Sequence, residues 1–363
     1  MLSEIESAAQ EIFLETYIFS DDKTASLVQA ALCRAAARGV RVCVIVDWVG
    51  SGRAWSEALV KTFSDAGVGC RIFNPWFRRG LARTHRKICV IDQRIAMVGG
   101  LNIIDDYISD DGSAQVLAFP RWDFAVSMSG PLVHHVHAEV RAQWLKMGKL
   151  DLLSRLKLMR QLRSQLALTS SQPTLAALVV RDSLRNRVTI QRAYLQALGG
   201  AQKRAILVTP YFAPGGKFRR ALISAANRGV DVTLLIGVGQ FRLQDAVTNS
   251  FYPKLLANGI KIVEYQRTQL HAKVAVIDHD WATVGSSNFD GLSLFVNQEA
   301  NIVIRNQVFA DQLTAHLERG IVDGVAVDPL EYANKAWYKR FGYGLAFFIY
   351  RGLMRIVTLG SYT

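Results

Sequence analysis

The strongest constraint on this chain of 363 residues is that it is written twice. His85-Arg-Lys87-Ile-Cys-Val-Ile-Asp92 returns as His271-Ala-Lys273-Val-Ala-Val-Ile-Asp278. In both copies a Gly follows the Asp by seven residues (Gly99, Gly285) and an Asn follows it by ten (Asn102, Asn288). One such pattern arises easily by chance in a long chain; two with the same downstream spacing do not. The likeness extends upstream. Ala31-Leu-Cys-Arg-Ala-Ala-Ala-Arg-Gly-Val-Arg-Val matches Ala221-Leu-Ile-Ser-Ala-Ala-Asn-Arg-Gly-Val-Asp-Val, each reading as a helix, a Gly turn and a β-branched strand. Ile12 to Phe19 matches Ile206 to Phe212, each with a Tyr (Tyr17, Tyr211), and Asp65-Ala-Gly-Val matches Ala257-Asn-Gly-Ile. Alternating helix and strand patterns predict an α/β fold in each half, a mixed sheet flanked by helices. The expected division is residues 1–150, a basic linker over 151–175, residues 176–325, and a C-terminal segment over 326–363.

Composition sharpens this. Half of the residues are hydrophobic and a fifth are charged, which excludes a disordered chain. Lys and Arg number 43 against 30 Asp and Glu, a net charge of +13 that favours an anionic partner. The surplus is concentrated: Arg141 to Arg192 carries eleven basic and two acidic residues, and Lys335 to Thr363 carries five basic and no acidic ones. In the second stretch Trp337, Tyr338, Phe341, Tyr343, Leu345, Phe347, Phe348, Ile349 and Tyr350 crowd between the basic residues. That pattern predicts a membrane-interface segment; the competing expectation is a helix packed on the protein's own core. No run of 18 apolar residues exists, and Met1 to Glu15 lacks a signal-peptide pattern. The four cysteines form no C-x-x-C and point to a reducing compartment.

The motifs carry the chemistry. His and Lys at i and i+2, opening a strand, share one face. Two such faces supply imidazoles that can act as nucleophile or proton donor, and Lys and Asn donors suited to phosphate oxygens. Nothing in the pattern supplies a carboxylate cluster for a metal, so the expectation is phosphodiester chemistry with no metal and no cofactor. Asp92 and Asp278 lie beyond the strand end on the opposite parity from His and Lys and read as structural. His134, His135 and His137 open an amphipathic helix, and no acidic or Cys ligand is paired with them at metal-site spacing.

The duplicated motif resembles the phospholipase D superfamily over nearly the whole chain. Glu15-Thr-Tyr-Ile-Phe-Ser-Asp-Asp-Lys, Arg38-Gly-Val-Arg-Val, the stretch Asp47 to Ser51 and Pro210-Tyr-Phe-Ala-Pro are similar to the bacterial cardiolipin synthase branch, B type. The resemblance implies two phospholipase D-type domains about a pseudo-twofold axis with the active site at their interface. It implies a catalytic set of His85, Lys87, Asp92, His271, Lys273 and Asp278, with Asn102, Asn288 and Ser286 on phosphate. His85 is the implied nucleophile and His271 the general acid and base. The implied reaction is a ping-pong transfer through a phosphohistidine, making cardiolipin and glycerol from two phosphatidylglycerol molecules. The family also places an acidic residue on the second ring nitrogen. Glu299 fits for His271, and its counterpart Asp123 fits for His85, displaced by an insertion around residues 105–120. Extra residues before the first motif, with Trp76, Phe77, Arg78 and Arg79, predict a loop at the mouth of the site that touches lipid head groups; the competing expectation is an ordinary packed Ω-loop. The implied location is peripheral or monotopic, on the cytoplasmic face of the bacterial inner membrane. Two alternatives stay open: a phospholipid hydrolase with water as acceptor, and a nuclease, which the aromatic tail disfavours.

Overall fold

The computed structural model describes residues 1–78, 80–111, 113, 115–148, 175–182 and 186–357. Arg79 and all but the last residue of the expected linker lie outside them. Contacts divide the chain into two units, Met1–Asp105 with Ala125–Leu178, and Asp106–Phe124 with Val179–Thr363. The segment Asp106–Phe124, read from sequence as an insertion in the first half, therefore groups with the second motif.

The first unit holds a six-stranded sheet of β1 (Glu11–Thr16), β2 (Arg41–Asp47), β3 (Gly69–Phe73), β4 (Ile88–Ile91), β5 (Ile95–Gly99) and β6 (Ala125–Ser129), in the order β3-β2-β1-β4-β5-β6. The remaining strands are β7 (Ala176–Arg181), β8 (Arg204–Thr209), β9 (Phe212–Ala213), β10 (Asp231–Gly237), β11 (Lys261–Tyr265), β12 (Val274–Ile277), β13 (Trp281–Gly285), β14 (Phe289–Asp290), β15 (Glu299–Arg305) and β16 (Val325–Ala326). Eight of these form the order β16-β11-β10-β8-β12-β13-β15-β7, and β9 pairs with β14 apart. Without β16 and β7 the second order repeats the first. In each, three parallel strands meet the motif strand in antiparallel pairing (β1 with β4, β8 with β12). The central strands are buried along nearly their whole length, hence their unbroken Val and Ile runs.

The duplicated sequence signals have local physical roles. The helices Lys23–Ala37 and Gly216–Asn227 end at Gly39 and Gly229, whose φ values of 89° and 91° suit glycine. Beside them Arg38 donates to the carbonyls of Ile5 and Ala8, and Arg228 to those of Leu198 and Ala201. The motif aspartates are clamps. Asp92 accepts from the backbone N–H groups of Ala9, Gln10 and Glu11 at 2.8–2.9 Å. Asp278 accepts from those of Gln202, Lys203 and Arg204. These bonds hold both carboxyls below the usual carboxylate range despite partial burial. Their implied place in the catalytic set is corrected: each ties its motif strand to the start of the neighbouring strand.

The ladders also correct the pairing of the two tyrosines. Thr16 and Thr209 each donate to the carbonyl two residues on, and Phe19 and Phe212 bridge in parallel to Ile103 and Phe289. Thr16 thus corresponds to Thr209, and Tyr17 to Pro210. Tyr211 corresponds to Ile18 and points the other way.

The C-terminal helix, Trp337–Val357, packs one face on the core, as the competing expectation for the tail had it. Ala346 and Met354 are buried in the core of the second unit, with Tyr343, Phe347, Tyr350 and Val357 packed against it. Gly291 N–H donates to Tyr350 Oη at 3.0 Å, and Phe347 meets Phe251 edge-on. On the opposite face Trp337, Phe341, Leu345, Phe348, Leu353 and Ile356 are each at least half exposed. Arg340, Arg351 and Arg355 form an exposed stripe between the two faces. No helix among the described residues is long and apolar enough to cross a membrane.

Candidate active site

In both units the histidine and lysine stand in extended chain just before the motif strand rather than in it. The lysine side chain folds back to the histidine carbonyl: Lys87 Nζ donates to His85 O at 2.8 Å, and Lys273 Nζ donates to His271 O. All four residues are buried. The ladder partner is the glycine beyond the turn, since Gly99 N–H donates to Lys87 O and Gly285 N–H to Lys273 O. Gly285 has no room for a side chain: a Cβ there would lie 2.3 Å from the Asn301 side chain.

The surroundings differ. His271 is anchored from both sides by the segment that precedes β6. Trp122 N–H donates to Gln269 O and His271 N–H to Trp122 O, so the chain around His271 runs as a short parallel bridge. That bridge brings Asp123 to the ring, where its Oδ2 lies 2.6 Å from Nδ1. Asp123 was expected on His85; the structure places it on His271, because the segment carrying it belongs to the second unit. The carboxylate on Nδ1 sets the tautomer and orientation of the ring, with Nε2 on its other side. A second carboxylate lies on that side, with Asp110 Oδ2 at 3.8 Å from Nε2. Asp110 is held by Arg121 and by Gln240, and Arg121 also binds Gln269. Burial pushes the Lys273 ammonium down to about 8, although Asp123, Asp110 and Glu299 favour its charged form.

Ser286 and Glu299 are turned to each other: Ser286 Oγ donates to Glu299 Oε2 and accepts from Ala300 N–H. Ser286 is therefore a partner of Glu299 rather than a clear phosphate donor. Asn288 is buried, and its hydrogen bond to Asp290 partly offsets the burial that raises Asp290 to about 6. Asn102 accepts from Ile18 N–H through Oδ1, leaving Nδ2 as the end that can meet a phosphoryl oxygen.

Around His85 the arrangement is different. The ring packs edge-on against Tyr17, centroids 5.0 Å apart, and Lys87 Nζ lies 5.3 Å from the same ring. Thr84, one residue before, donates its hydroxyl to Glu15 and its N–H to Asp47 at 2.9 Å. Burial raises the carboxyls of both Glu15 and Asp47, the latter to about 6. The expected loop is organised by Asn74, whose amide donates to Gly80 O and Ala82 O. Trp76 and Phe77 are about half exposed and pack on Trp48, with the Arg53 guanidinium 3.9 Å from the Trp76 ring centre. Asn74, Trp76 and Phe77 all have positive φ, a strained arrangement for non-glycine residues. Arg78 follows directly, and Arg79 lies outside the described residues. His137 faces Glu11, Nε2 to Oε1 2.8 Å, inside the first unit.

Comparison with known proteins gives the lineage. A family model described as "Cardiolipin synthase, PLD-like domain" matches residues 1–117 and 194–321. The chain is 36% identical to "Cardiolipin synthase B" of Escherichia coli strain K12, over 97% of this chain and 85% of that protein. It is 26% identical to "Minor cardiolipin synthase ClsB" of Bacillus subtilis, over 96% and 86%. Among solved structures, a phosphatidylserine synthase of Haemophilus influenzae superposes with a TM-score of 0.66 at 12% identity, covering 99% of this chain and 92% of that one. That match shows a shared fold. By the family match over most of its length, and by its likeness to full-length relatives, the chain belongs to the cardiolipin synthase family of phospholipase D-like proteins.

Proposed function

We propose that the protein is a phosphatidyltransferase that converts two phosphatidylglycerol molecules into cardiolipin and glycerol. The observation that carries the chemistry is the buried His271 with Asp123 on Nδ1 and Lys273 beside it. Family membership selects the substrate. In the first half-reaction His85 attacks the phosphorus of the donor lipid, and His271 gives the Nε2 proton to the departing glycerol oxygen. In the second, neutral His271 takes the proton of the acceptor hydroxyl, whose oxygen bonds to phosphorus as the phosphorus–nitrogen bond to His85 breaks. Lys87, Lys273, Asn102 and Asn288 hold the phosphoryl oxygens, with most effect as charge moves in the transition state. The roles of the two histidines follow the family resemblance, and Asp123 on Nδ1 of His271 suits that ring to carry the proton.

The reading also docks the protein on anionic lipid through the outer face of Trp337–Val357. Its aromatic and aliphatic side chains enter the interface, and Arg340, Arg351 and Arg355 meet lipid phosphates. The Trp76 and Phe77 loop is read as a second lipid contact. The four cysteines are all free thiols, which suits the cytoplasmic face of the inner membrane.

The test uses purified protein, vesicles containing phosphatidylglycerol, and EDTA throughout. Cardiolipin and glycerol should rise together and disappear in His271→Ala. Phosphatidic acid as the sole product would make the enzyme a hydrolase. Phe341→Ser with Phe348→Ser should weaken co-sedimentation with the vesicles while leaving the fold intact; unchanged binding would reject the docking face.

A further inference from the structure

A cleft of about 620 Å³ opens in the second unit, lined in part by Ser109, Asp111, Gln115, Tyr211, Gln240 and Gln269. Leu270, the neighbour of His271, closes one side. Its polar groups are amides, hydroxyls and carboxylates. The cation among the described lining residues, Arg267, is bound to Asp323 at 2.6 Å. Such a lining suits a neutral, hydroxyl-bearing group such as the free end of a glycerol head group.

A relay of side chains joins the cleft to the imidazole. Tyr211 Oη donates to Gln240 Oε1 at 2.9 Å. Gln240 Nε2 donates to Asp110 Oδ1, and Asp110 Oδ2 stands 3.8 Å from His271 Nε2. Arg121 and the Gln269 side chain fix Asp110 and its backbone from the other side. The two facing atoms are too far apart for a good hydrogen bond to each other. They are spaced so that two adjacent hydroxyls can each reach one of them at about 2.8 Å.

The geometry points to a vicinal-diol site, in which His271 Nε2 and Asp110 read the two hydroxyls of the acceptor's glycerol head group. This rests on the transferase reading and deepens it. The reacting hydroxyl lies on Nε2. Its proton passes to that nitrogen, its oxygen bonds to phosphorus, and the electron pair of the broken phosphorus–nitrogen bond returns to the His85 ring. The neighbouring hydroxyl donates to Asp110 throughout. Water and simple alcohols make only the first contact, so the site selects for diols and against hydrolysis.

The experiment supplies phosphatidylglycerol vesicles with equal concentrations of propane-1,2-diol and propan-1-ol, and measures the two phosphatidyl alcohols formed. The wild type should favour the diol about tenfold. Propane-1,3-diol, with separated hydroxyls, should behave like the mono-alcohol. Asp110→Ala and Gln240→Leu should each bring the ratio towards one, a change that a general loss of folded enzyme does not produce. A wild-type ratio near one, or a ratio unmoved in both variants, overturns the site while the transferase reading stands. No phosphatidyl alcohol and no cardiolipin from the wild type overturns the transferase reading and the site with it. The same variants tested for cardiolipin formation and for labelled glycerol exchange distinguish the ligand's source. Loss in both assays assigns the site to the lipid head group; loss in exchange alone assigns it to free glycerol and overturns the acceptor-lipid assignment.

Discussion

The two motif histidines precede matching strands, and the side chains packed beside those strands differ. Three corresponding positions account for much of the difference. Val46 pairs with Thr16 and Ile236 with Thr209, so Asp47 corresponds to Gly237 one residue later. By the same register Glu15 corresponds to Val208, and by motif spacing Thr84 corresponds to Leu270. In the first unit Thr84, the residue before His85, ties Glu15 and Asp47 together through its hydroxyl and its N–H, making a buried hydrogen-bonded plug. In the second, Gly237 and Leu270 form an apolar wall from which the cleft opens. A duplicated scaffold has thus kept its reacting groups and changed what lies beside them: one side is rigid and filled, the other open and lined with polar groups. That asymmetry suits two histidines with different jobs.

The largest break in the comparison should come from Asp123. Asp123→Asn leaves the ring in place but removes the charge and can turn an amide N–H to Nδ1, favouring the wrong tautomer, so cardiolipin formation should fall about a thousandfold in steady-state assays. A loss below tenfold would mean that Asp123 is not what orients His271. Next is the plug. Thr84→Val strips a partner from the buried Glu15 and should cost about 2 kcal/mol in urea unfolding. Leu270→Val, at the matching position, should cost about 1 kcal/mol. Equal costs would erase the distinction between plug and wall. A graft sharpens it: Gly237→Asp places the first unit's carboxyl where a Cβ would already lie 3.2 Å from Leu270 and Pro210. Diol preference and transfer should fall about tenfold while His271→Ala remains far worse.

The smallest effects are in pH. Burial holds Lys273 at about 8 against an ordinary 10.5. Between those values the unfolded chain binds a proton that the folded one does not. This group therefore makes stability rise with pH across the window, while activity falls as the ammonium is lost. Asp47 has the opposite sign. Its carboxyl is raised from 3.8 to about 6, so the folded state binds more protons and stability falls as pH climbs through that range. Thermal midpoints at closely spaced pH values should show both slopes. Lys273→Met should remove the alkaline one, and Asp47→Asn should flatten the acidic one, to which the raised Asp290 and Glu15 also contribute.

Much of this was legible in the linear chain. Repetition of His-x-Lys, the β-branched runs and the Arg-Gly-Val turns marks the repeated helix–turn–strand units, because each serves a local need that the next residues reveal. Parity separated Asp92 and Asp278 from the reacting face before their backbone clamps were visible. What could not be read was pairing across distance. Asp123 belongs by numbering to the first motif and by contact to the second. Asp110 lies in Ser109-Asp-Asp-Gly-Ser113, a stretch with no periodicity to mark which acid turns inward. The tyrosines looked equivalent because both follow an apolar strand, and only ladder register showed them one residue out of phase. The tail looked like a choice between membrane and core because composition does not record which side of a helix each residue occupies.

The place of Asp106–Phe124 bears on how the gene can be divided. A fragment beginning at the second repeat would carry His271 without Asp123, Asp110 or Arg121, and would leave Leu270 and Tyr265 without the Trp122 strand that covers them. The halves of the message are therefore not the halves of the machine. Split-protein pieces, permuted versions or domain exchanges made at the linker should yield inert parts. Those joined so that residues 106–124 travel with the later repeat keep its site whole.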